Sequence, residues 1–214
     1  MRRTLTPAEP PDMTEEAAAH ADGYARVCGI DEAGRGPLAG PVVAAAVILP
    51  DGYSLPGLND SKKLTAKKRE ILYAALMEDE RIQKHIAIAS VQEIDELNIL
   101  RATHLAMRRA AEGISGGVDF CLIDGLPVPG FPYPSRSIVK GDARCLSIAA
   151  ASILAKVWRD HHMNELHQQF PVYGFNRHAG YGTKAHIQAI HEHGISIHHR
   201  RSFAPVAQLE LPLV

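Results

Sequence analysis

The sequence predicts an α/β domain in which helices flank a mixed sheet. Two apolar strand patterns, residues 27–30 and 42–49, are separated by a short glycine-rich segment, which favours an antiparallel pair. A third apolar run, residues 118–123, follows a long helical pattern and is typical of a central strand covered on both faces. A sheet that begins with a hairpin and continues through helical crossovers contains both strand directions.

The composition is that of one globular domain. The 214 residues are 46% hydrophobic and carry a formal net charge of −1, so a sizeable core is available and a globally basic surface is excluded. Three scattered cysteines without C-x-x-C spacing indicate a reduced protein with neither a disulfide framework nor a zinc site. No segment resembles a membrane span or a secretory signal. We therefore expect a cytoplasmic monomer that does not bind membranes.

Three segments are predicted along the chain. Residues 1–25 are rich in proline, alanine and acidic groups, which favours a flexible N-terminal extension. Residues 26–203 contain the strand and helix patterns and form the predicted catalytic domain, including a helical C-terminal region. Residues 204–214 are predicted to be a tail.

The remaining elements alternate between helices and short strands. Thr65 is a plausible N-cap for a helix over residues 66–79, and Gly113 closes a helical pattern over residues 91–112. The others, in order, are a strand over 84–90, a proline-rich loop over 127–134, a short strand over 137–139, a long helix over 145–170 and a helix over 183–192.

Four carboxylates stand where apolar strands end: Asp31, Glu32, Asp124 and Asp142. Their mutual repulsion would be relieved by divalent cations, and hard oxygen ligands select Mg²⁺ or Mn²⁺. Two such ions, about 4 Å apart, catalyse phosphoryl displacement. An N-cap role for Asp142 and a turn role for Asp124 are the competing interpretations. The spacing of the acids alone does not separate a nuclease from a phosphatase.

The segment Gly34–Arg35–Gly36 follows the first pair of acids directly. Glycines leave the main chain accessible to a sugar or a phosphate, and Arg35 can pair with a phosphate. A tight hairpin turn is the alternative interpretation.

Basic residues and histidines give weaker signals. The basic run over residues 62–69 has the form of a solvated face. Lys156 and Arg159 share a helix face and could follow a duplex backbone, with solvation equally possible for Arg159. Nine histidines between residues 161 and 199 lack the spacing of a H-E-x-x-H zinc site, so surface or supporting roles are favoured.

Several strings, in this order, resemble the ribonuclease HII family: GIDEAGRGPLAGPVVAAAVIL, LNDSKKLT, LIDG, KGDARCLSIAAASILAKVWRD, YGFNRHAGYGT and HGISIHHRRSF. The resemblance implies a ribonuclease H-like fold with a five-stranded mixed sheet and a helical C-terminal region. It also implies an endonuclease for RNA–DNA hybrids and for single ribonucleotides in duplex DNA, leaving 5′-phosphate and 3′-hydroxyl ends.

The resemblance assigns roles to individual residues. Asp31, Glu32, Asp124 and Asp142 match the metal-binding acids, and our hypothesis gives Asp31 and Asp142 to the ion that activates water. By the same match, the main chain of Gly34, Arg35 and Gly36 reads the ribose 2′-hydroxyl, and Tyr181 packs on the neighbouring deoxyribose. Ser61 and Lys62 lie in a family string and are expected to contact phosphate.

The chain departs from the family pattern at four positions. Leu126 replaces a common asparagine, Ala179 replaces a lysine, and Arg144 and Cys145 replace the usual lysine and serine. The alternatives to an endonuclease of this family are a non-catalytic hybrid-binding module and another ribonuclease H-like nuclease, such as ribonuclease HIII or a 3′ exonuclease. A sliding-clamp contact is one interpretation of the C-terminal tail, and a disordered tail is the favoured one.

Overall fold

The computed structural model describes residues 10–209, which form a sheet with helices on both faces. The strands are β1 (Val27–Ala33), β2 (Val42–Ile48), β3 (Gln83–Ala89), β4 (Phe120–Asp124) and β5 (Ser135–Ile138). The helices are α1 (Thr14–Ala21), α2 (Ala66–Glu78), α3 (Val91–Leu97), α4 (Ile99–Glu112), α5 (Leu146–Gln169), α6 (Phe175–His178), α7 (Lys184–His193) and α8 (Val206–Leu209).

The five strands form one mixed sheet in the order β3-β2-β1-β4-β5. β1 pairs antiparallel with β2, and β2 pairs antiparallel with β3. β4 pairs in parallel with both β1 and β5, so the chain crosses over through helices to reach these strands. The predicted fold class, a five-stranded mixed sheet with a helical C-terminal region, is confirmed.

Strand β2 divides the core into two layers. Val43, Ala45 and Val47 face α2 and α5, whereas Val42 and Ala44 face α4. This alternation is the period-two pattern of a strand buried on both sides. The small alanine side chains let helices approach the sheet closely on either face.

A close contact between β1 and α5 fixes the long helix against the sheet. A Cβ atom at Gly29 would lie 2.3 Å from the main-chain carbon of Ser147. Only glycine therefore permits the backbone of α5 to rest directly on β1 at this point. The contact brings α5 side chains to the strand that contains Asp31.

The pattern over residues 91–112, predicted as one helix, forms two helices. Asn98 lies between them with φ of 71°, and its side chain accepts hydrogen bonds from the N–H groups of Leu100 and Arg101. The positive φ of Asn98 breaks the helical path, and asparagine is a strong N-cap, so this residue ends α3 and starts α4. The prediction of a continuous helix is wrong at this residue.

The N-terminal segment is part of the domain from residue 10 onwards. Helix α1 packs on β1 and β4 and buries Ala19 and Glu16. The Glu16 carboxylate accepts hydrogen bonds from the N–H of Ser147 at 2.8 Å and from the thiol of Cys145 at 3.2 Å, so it caps the start of α5. Arg144 donates to Glu15 at 2.9 Å. The prediction of a flexible extension over residues 1–25 is therefore wrong for 14–21, and residues 1–9 lie outside the described residues.

The C-terminal segment also packs on the domain. Val206, at the start of α8, is fully buried against Leu38 and Ile190. Residues 204–209 of the predicted tail thus contact the domain, and residues 210–214 lie outside the described residues. Within residues 10–209 no helix combines the length and the apolar character needed to cross a membrane.

Candidate active site

Three carboxylates converge at one end of the sheet. Asp31 lies in β1, Asp124 is the last residue of β4, and Asp142 lies in a short 3₁₀ helix, Gly141–Ala143. One oxygen atom from each lies within 4.8 Å of the other two. Parallel pairing of β1 with β4 brings the first two together, as expected for neighbouring strand ends.

Burial makes this cluster electrostatically costly. Asp31 and Asp142 are 3% and 4% exposed. Burial, followed by repulsion from Glu32 and Asp124, raises the pKa of Asp31 well above its usual range. Burial and the charge of Asp142 likewise raise the pKa of Asp124. Bringing desolvated carboxylates together in this way is costly unless cations compensate their charge.

Glu32 lies on the opposite face of β1 from Asp31. The strand continues through both acids, with Asp31 opposite Ala45 and Glu32 opposite Ala44, instead of ending at Ile30 as predicted. Successive side chains in a strand alternate between faces, so Glu32 is turned towards α4. There its carboxylate accepts a hydrogen bond from Arg35 at 3.3 Å. Glu32 lines the same cleft as Asp31 but lies outside the cluster of three oxygen atoms.

The main chain supports Asp124. The N–H of Gly141 donates to Asp124 Oδ1 at 2.7 Å, and a Cβ at Gly141 would lie 2.6 Å from Ile148 Cδ1. A Cβ at Gly141 would therefore displace the end of the Ile148 side chain, next to the point where the loop before Asp142 touches the carboxylate. Leu126 is 75% exposed, so the departure at that position leaves this support in place.

The carboxylates open into a cleft of about 240 Å³ that unites most of the predicted site. Its lining residues include Asp31, Glu32, Gly34, Arg35, Gly36, Ser61, Lys62, Asp124, Ser152, Lys156 and Tyr181. All seven predicted substrate-binding residues therefore lie in one cavity with three of the four acids, Asp31, Glu32 and Asp124. Carboxylates therefore line one part of the cleft, and lysines and the main chain of the glycine turn line another.

Two lysines at the cleft, Lys62 and Lys156, form ion pairs with carboxylates. Lys62 Nζ donates to Asp142 Oδ2 at 3.1 Å, and its side chain is 77% exposed. Lys156 Nζ donates to Asp160 at 2.6 Å. The Ser61 hydroxyl is buried 2.9 Å from the hydroxyl of Ser152. Ser61 thus forms part of the cleft wall, whereas Lys62 reaches into solvent.

Arg159 has a structural role in the fold that the sequence did not predict. Its guanidinium is 1% exposed and donates to the carbonyls of Pro41, Ala39 and Ala179 at 3.0, 3.0 and 2.9 Å. A Cβ at Gly34, whose φ is 94°, would lie 2.1 Å from Arg159 Nε. Three of its five N–H groups donate to carbonyls inside the protein, so Arg159 is not a solvated residue, and its burial disfavours the contact with a duplex backbone that the sequence left open.

A second buried arginine, Arg200, lies beneath the same turn, and sequence reasoning missed it. Its side chain donates to the carbonyls of Gly34, Arg35 and Gly40. Burial lowers the pKa of Arg200 to about 9, which leaves the guanidinium charged at neutral pH. In the sequence Arg200 belongs to a run of histidines and arginines, which has the form of a solvated surface. No local signal separates it from Arg201.

Tyr181 lies beside the glycine turn. Its side chain is 48% exposed, and a Cβ at Gly36 would lie 3.5 Å from Tyr181 Cε1. Its main chain is fixed, since the Tyr181 N–H donates to the carbonyl of His178 and its carbonyl lies 2.9 Å from His186 Nδ1. Tyr181 therefore lines the cleft beside the turn, on a main chain that is held in place.

Two of the C-terminal histidines support this wall. His186 and His199 are buried, with their Nε2 atoms 3.1 Å apart. Burial lowers the pKa of each to about 4, so both rings are neutral near pH 7. Within residues 10–209 the one group of three or more potential metal ligands is the cluster of aspartates. The preference for supporting roles over zinc is consistent with this arrangement.

The aspartate cluster fits a hard divalent cation. Three oxygen ligands of Asp31, Asp124 and Asp142 converge within a few ångströms, and burial raises the pKa of two of these groups. A bound Mg²⁺ or Mn²⁺ would neutralise the repulsion and satisfy the oxygens. The absence of histidine and cysteine from the cluster disfavours zinc.

Solved structures with the same fold are ribonucleases H. The ribonuclease H2 of Pyrococcus horikoshii OT3 superposes with a TM-score of 0.73 at 24% identity, covering 87% of this chain and 97% of the other. The ribonuclease HII of Archaeoglobus fulgidus, solved with PCNA, gives 0.70 at 24% identity, covering 84% and 95%. Bst-RNase HIII in complex with Mn²⁺ gives 0.65 at 17% identity, covering 98% and 74%. These likenesses confirm the ribonuclease H-like fold.

The sequence comparisons are more specific. A curated ribonuclease HII of Cereibacter sphaeroides is 59% identical over 197 residues, covering 92% of either chain. One of Ruegeria pomeroyi is 55% identical over 200 residues, covering 93% of this chain and 85% of the relative. The family model for ribonuclease HII matches residues 28–206, from the second residue of β1 to the first residue of α8. The chain therefore belongs to the ribonuclease HII family and is a ribonuclease H, a hydrolase that cuts phosphodiester bonds within a strand.

Proposed function

We propose that this ribonuclease H cleaves the RNA strand of RNA–DNA hybrids and also nicks duplex DNA on the 5′ side of a single embedded ribonucleotide. The observation that carries the proposal is the position of the glycine turn relative to the acids. Gly34, Arg35 and Gly36 follow Asp31 and Glu32 within one strand and turn, and all five residues line one cleft. Recognition of one sugar and cleavage at its phosphate can therefore occur together.

Divalent cations supply the chemistry at the carboxylates. When bound, Mg²⁺ or Mn²⁺ lowers the pKa of a water molecule and stabilises the leaving oxygen of a phosphodiester. Asp31, Asp124 and Asp142 would hold such an ion, and Glu32, on the other face of β1, is in place to contribute to a second. The likeness to a Mn²⁺ complex of a ribonuclease HIII supports this choice of metal class.

The reaction is a hydrolysis at phosphorus. Water adds its oxygen to the phosphorus atom, and the bond from phosphorus to the 3′-oxygen of the preceding nucleotide breaks. The displaced oxygen takes up a proton and becomes a 3′-hydroxyl, while the phosphate stays on the 5′ side of the ribonucleotide. One water molecule is consumed and one phosphodiester bond is broken, and these two changes account for both products.

The cleft wall would select the sugars. A 2′-hydroxyl both donates and accepts hydrogen bonds, so exposed main-chain groups of Gly34, Arg35 and Gly36 can distinguish ribose from deoxyribose. The ring of Tyr181, next to Gly36, suits the apolar face of a deoxyribose, where an added hydroxyl would be crowded. The pair would recognise a ribonucleotide followed by a deoxynucleotide.

A cleavage assay on a duplex DNA containing one ribonucleotide tests the proposal. We expect a single nick on the 5′ side of the ribonucleotide, with a 5′-phosphate and a 3′-hydroxyl at the break, and no cut in the matching all-deoxy duplex. Cleavage confined to long hybrids would instead favour an activity of the ribonuclease HIII type. Progressive shortening from a strand end would indicate a 3′ exonuclease.

A partner interaction is a separate expectation. We propose that the C-terminal tail contacts a sliding clamp and that the enzyme acts as a monomer. The Archaeoglobus ribonuclease HII solved with PCNA supports the first point, and the apolar sequence of residues 208–214 offers a short docking segment. Light scattering of the enzyme with and without a bacterial clamp, and with residues 210–214 deleted, tests both statements.

A further inference from the structure

The side chain of Arg200 is fully buried beneath the turn between β1 and β2. Its Nη2 donates to the carbonyl of Gly34 at 2.6 Å, and its Nη1 donates to the carbonyl of Arg35 at 2.9 Å. Its Nε and Nη2 also donate to the carbonyl of Gly40, at 2.9 and 2.8 Å. One planar guanidinium therefore joins the start of the turn to its end.

The charge of Arg200 is stabilised by main-chain carbonyls, with no ion pair among the described residues. Across residues 10–209, the hydrogen bonds of its guanidinium go to Gly34, Arg35 and Gly40, and no carboxylate lies at ion-pair distance. Burying a charge in this way is costly, and apolar residues often stabilise a core equally well. The arrangement is better explained by the geometry it imposes on the turn than by stability.

The same two peptide groups each carry an N–H, and the position of the carbonyl decides where that N–H points. The carbonyl of Gly34 and the N–H of Arg35 belong to one trans peptide and point in opposite directions, as do the carbonyl of Arg35 and the N–H of Gly36. Since Arg200 draws both carbonyls into the core, both N–H groups are turned away from it. Neither N–H has an acceptor within the described part of the chain, and both residues line the cleft.

We propose that Arg200 is the residue that sets sugar discrimination. By holding two carbonyls inward, it aims the N–H groups of Arg35 and Gly36 at the 2′-hydroxyl of the bound ribonucleotide. This inference rests on the proposed function, since it names the element that positions the sugar reader. Arg200 itself touches neither substrate nor the carboxylates, so it acts as a positioning residue.

The substitution Arg200→Lys tests the proposal. A lysine keeps the charge but cannot donate to three carbonyls in the planar arrangement of a guanidinium. The measured quantity is the ratio of affinities for two duplex DNAs, one with a single ribonucleotide and one wholly deoxy. Both are measured in an Asp124→Asn background, so that binding is read without cleavage. We expect this ratio to fall about tenfold, as for the loss of one or two aligned hydrogen bonds.

The chain offers a matched control at the opposite end of β1. Arg26 precedes the strand and donates to the carbonyls of Gly117 and Ser115, each at 2.6 Å. Arg26→Lys replaces a guanidinium that, like that of Arg200, is bonded to carbonyls; Arg26 is half-buried and lies far from the glycine turn. We expect it to lower the melting temperature and leave the affinity ratio unchanged.

A second measurement decides the matter if Arg200→Lys does not fold. In the Asp124→Asn protein, the amide resonances of Arg35 and Gly36 should shift on adding the ribonucleotide duplex and not on adding the all-deoxy duplex. An unchanged affinity ratio in a folded Arg200→Lys variant, or equal amide shifts with both duplexes, would overturn the proposal. If the wild-type enzyme failed to nick at the ribonucleotide, the proposed function would be wrong instead, which the cleavage assay shows separately.

Discussion

The ammonium of Lys62 lies 3.1 Å from a carboxylate oxygen of Asp142, one of the three acids that converge at the strand ends. Lys62 comes from a 3₁₀ helix, Ser61–Lys63, that precedes α2, whereas Asp142 precedes α5. A cation from one element thus occupies the edge of an anionic cluster built by others. A divalent ion binding to the same carboxylate would compete with the lysine, which would then be free to meet a phosphate.

Replacing Lys62 by methionine separates these two roles. We expect KM for an RNA–DNA hybrid to rise several-fold, and the slope of log affinity against log salt to decrease by about 0.9, because one phosphate contact is lost. The concentration of Mn²⁺ for half-maximal activity should fall only about twofold, since an exposed ion pair contributes at most about 1 kcal/mol. Steady-state kinetics across a salt series and a Mn²⁺ titration give these values.

The neighbouring residue Lys63 provides the control for this substitution. It is exposed on the same 3₁₀ helix and carries the same charge. Lys63→Met should leave KM and the metal dependence near those of the wild type. An equal effect from both substitutions would show that Lys62 contributes only to the general charge of this surface.

Asp124→Asn should abolish turnover and retain hybrid binding. The substitution removes one of three converging negative charges, so we expect at least a hundredfold loss of rate, about 2.7 kcal/mol of transition-state stabilisation. Because burial and Asp142 raise the pKa of Asp124, the metal-free variant should also melt at a higher temperature than the wild type. Activity assays in Mg²⁺ and calorimetry in EDTA measure these two effects.

Asp51→Asn serves as the comparison, because this carboxylate is 95% exposed and lies outside the site. It should change neither the rate nor the effect of Mn²⁺ on the melting temperature. Near-normal turnover of Asp124→Asn would contradict the assignment of this residue to the metal cluster.

Ala179 occupies a position where the family pattern has lysine, and it adopts the left-handed conformation with φ of 47°. Alanine already carries the strain of this backbone, so Ala179→Lys should fold about as well as the wild type. The added charge beside the cleft should tighten hybrid binding and steepen the salt slope by about 0.9. Fluorescence anisotropy over a range of salt concentrations gives the slope.

Ala179→Gly isolates the contribution of the backbone. Glycine accepts a positive φ without strain, so stability should rise by about 1 kcal/mol with no change in the salt slope. A salt slope that changed in the glycine variant as much as in the lysine variant would rule out a direct phosphate contact.

The sequence anticipated the sheet and the aspartates better than the surroundings of the glycine turn. Alternating apolar patterns and strand-end acids are local signals, so Asp31 and Asp124 could be placed from them. The strand was expected to end before Asp31, and the separation of Asp31 from Glu32 onto two faces was therefore missed. Arg200 reaches Gly40 across 160 residues of sequence, and no local pattern encodes a contact of that range.

The N-terminal helix illustrates the same limit. Residues 14–21 have a small-residue, acidic composition that is typical of an extension, yet Glu16 caps α5 through the N–H of Ser147. The carboxylate and the helix terminus it stabilises are separated by 131 residues. Only the packed structure identifies the acid as a cap, because the signal depends on where α5 begins in space.

The buried pair His186 and His199 should make stability depend on pH. Nδ1 of His186 is 2.9 Å from the carbonyl of Tyr181, and Nδ1 of His199 is 2.9 Å from the N–H of Ser196, which suits neutral rings. His178 stacks on His186 with ring centroids 4.5 Å apart and adds a further neighbouring group. Protonating either ring would place a charge in this packed cluster.

The direction of the effect follows from the pKa values. Burial lowers the pKa of both rings from 6.5 to about 4 in the folded protein. The unfolded chain therefore binds more protons between pH 6.5 and 4, so the free energy of unfolding falls as the pH is lowered through this range and is fully retained above it. At pH 5 the loss is on the order of 2 kcal/mol for each ring that titrates in this way.

Urea unfolding at pH 7 and at pH 5 measures this loss in the wild type and in His199→Gln. The variant should show a smaller decrease on acidification, and the difference isolates the histidine pair because the carboxylates are common to both proteins. His191→Gln changes an exposed histidine of the same helix as His186 and should retain the wild-type dependence of stability on pH.

Because His186 supports the main chain of Tyr181, the same acidification should weaken hybrid binding before the protein unfolds. Binding that stayed constant to the onset of unfolding would show that the pair stabilises the fold without positioning the tyrosine.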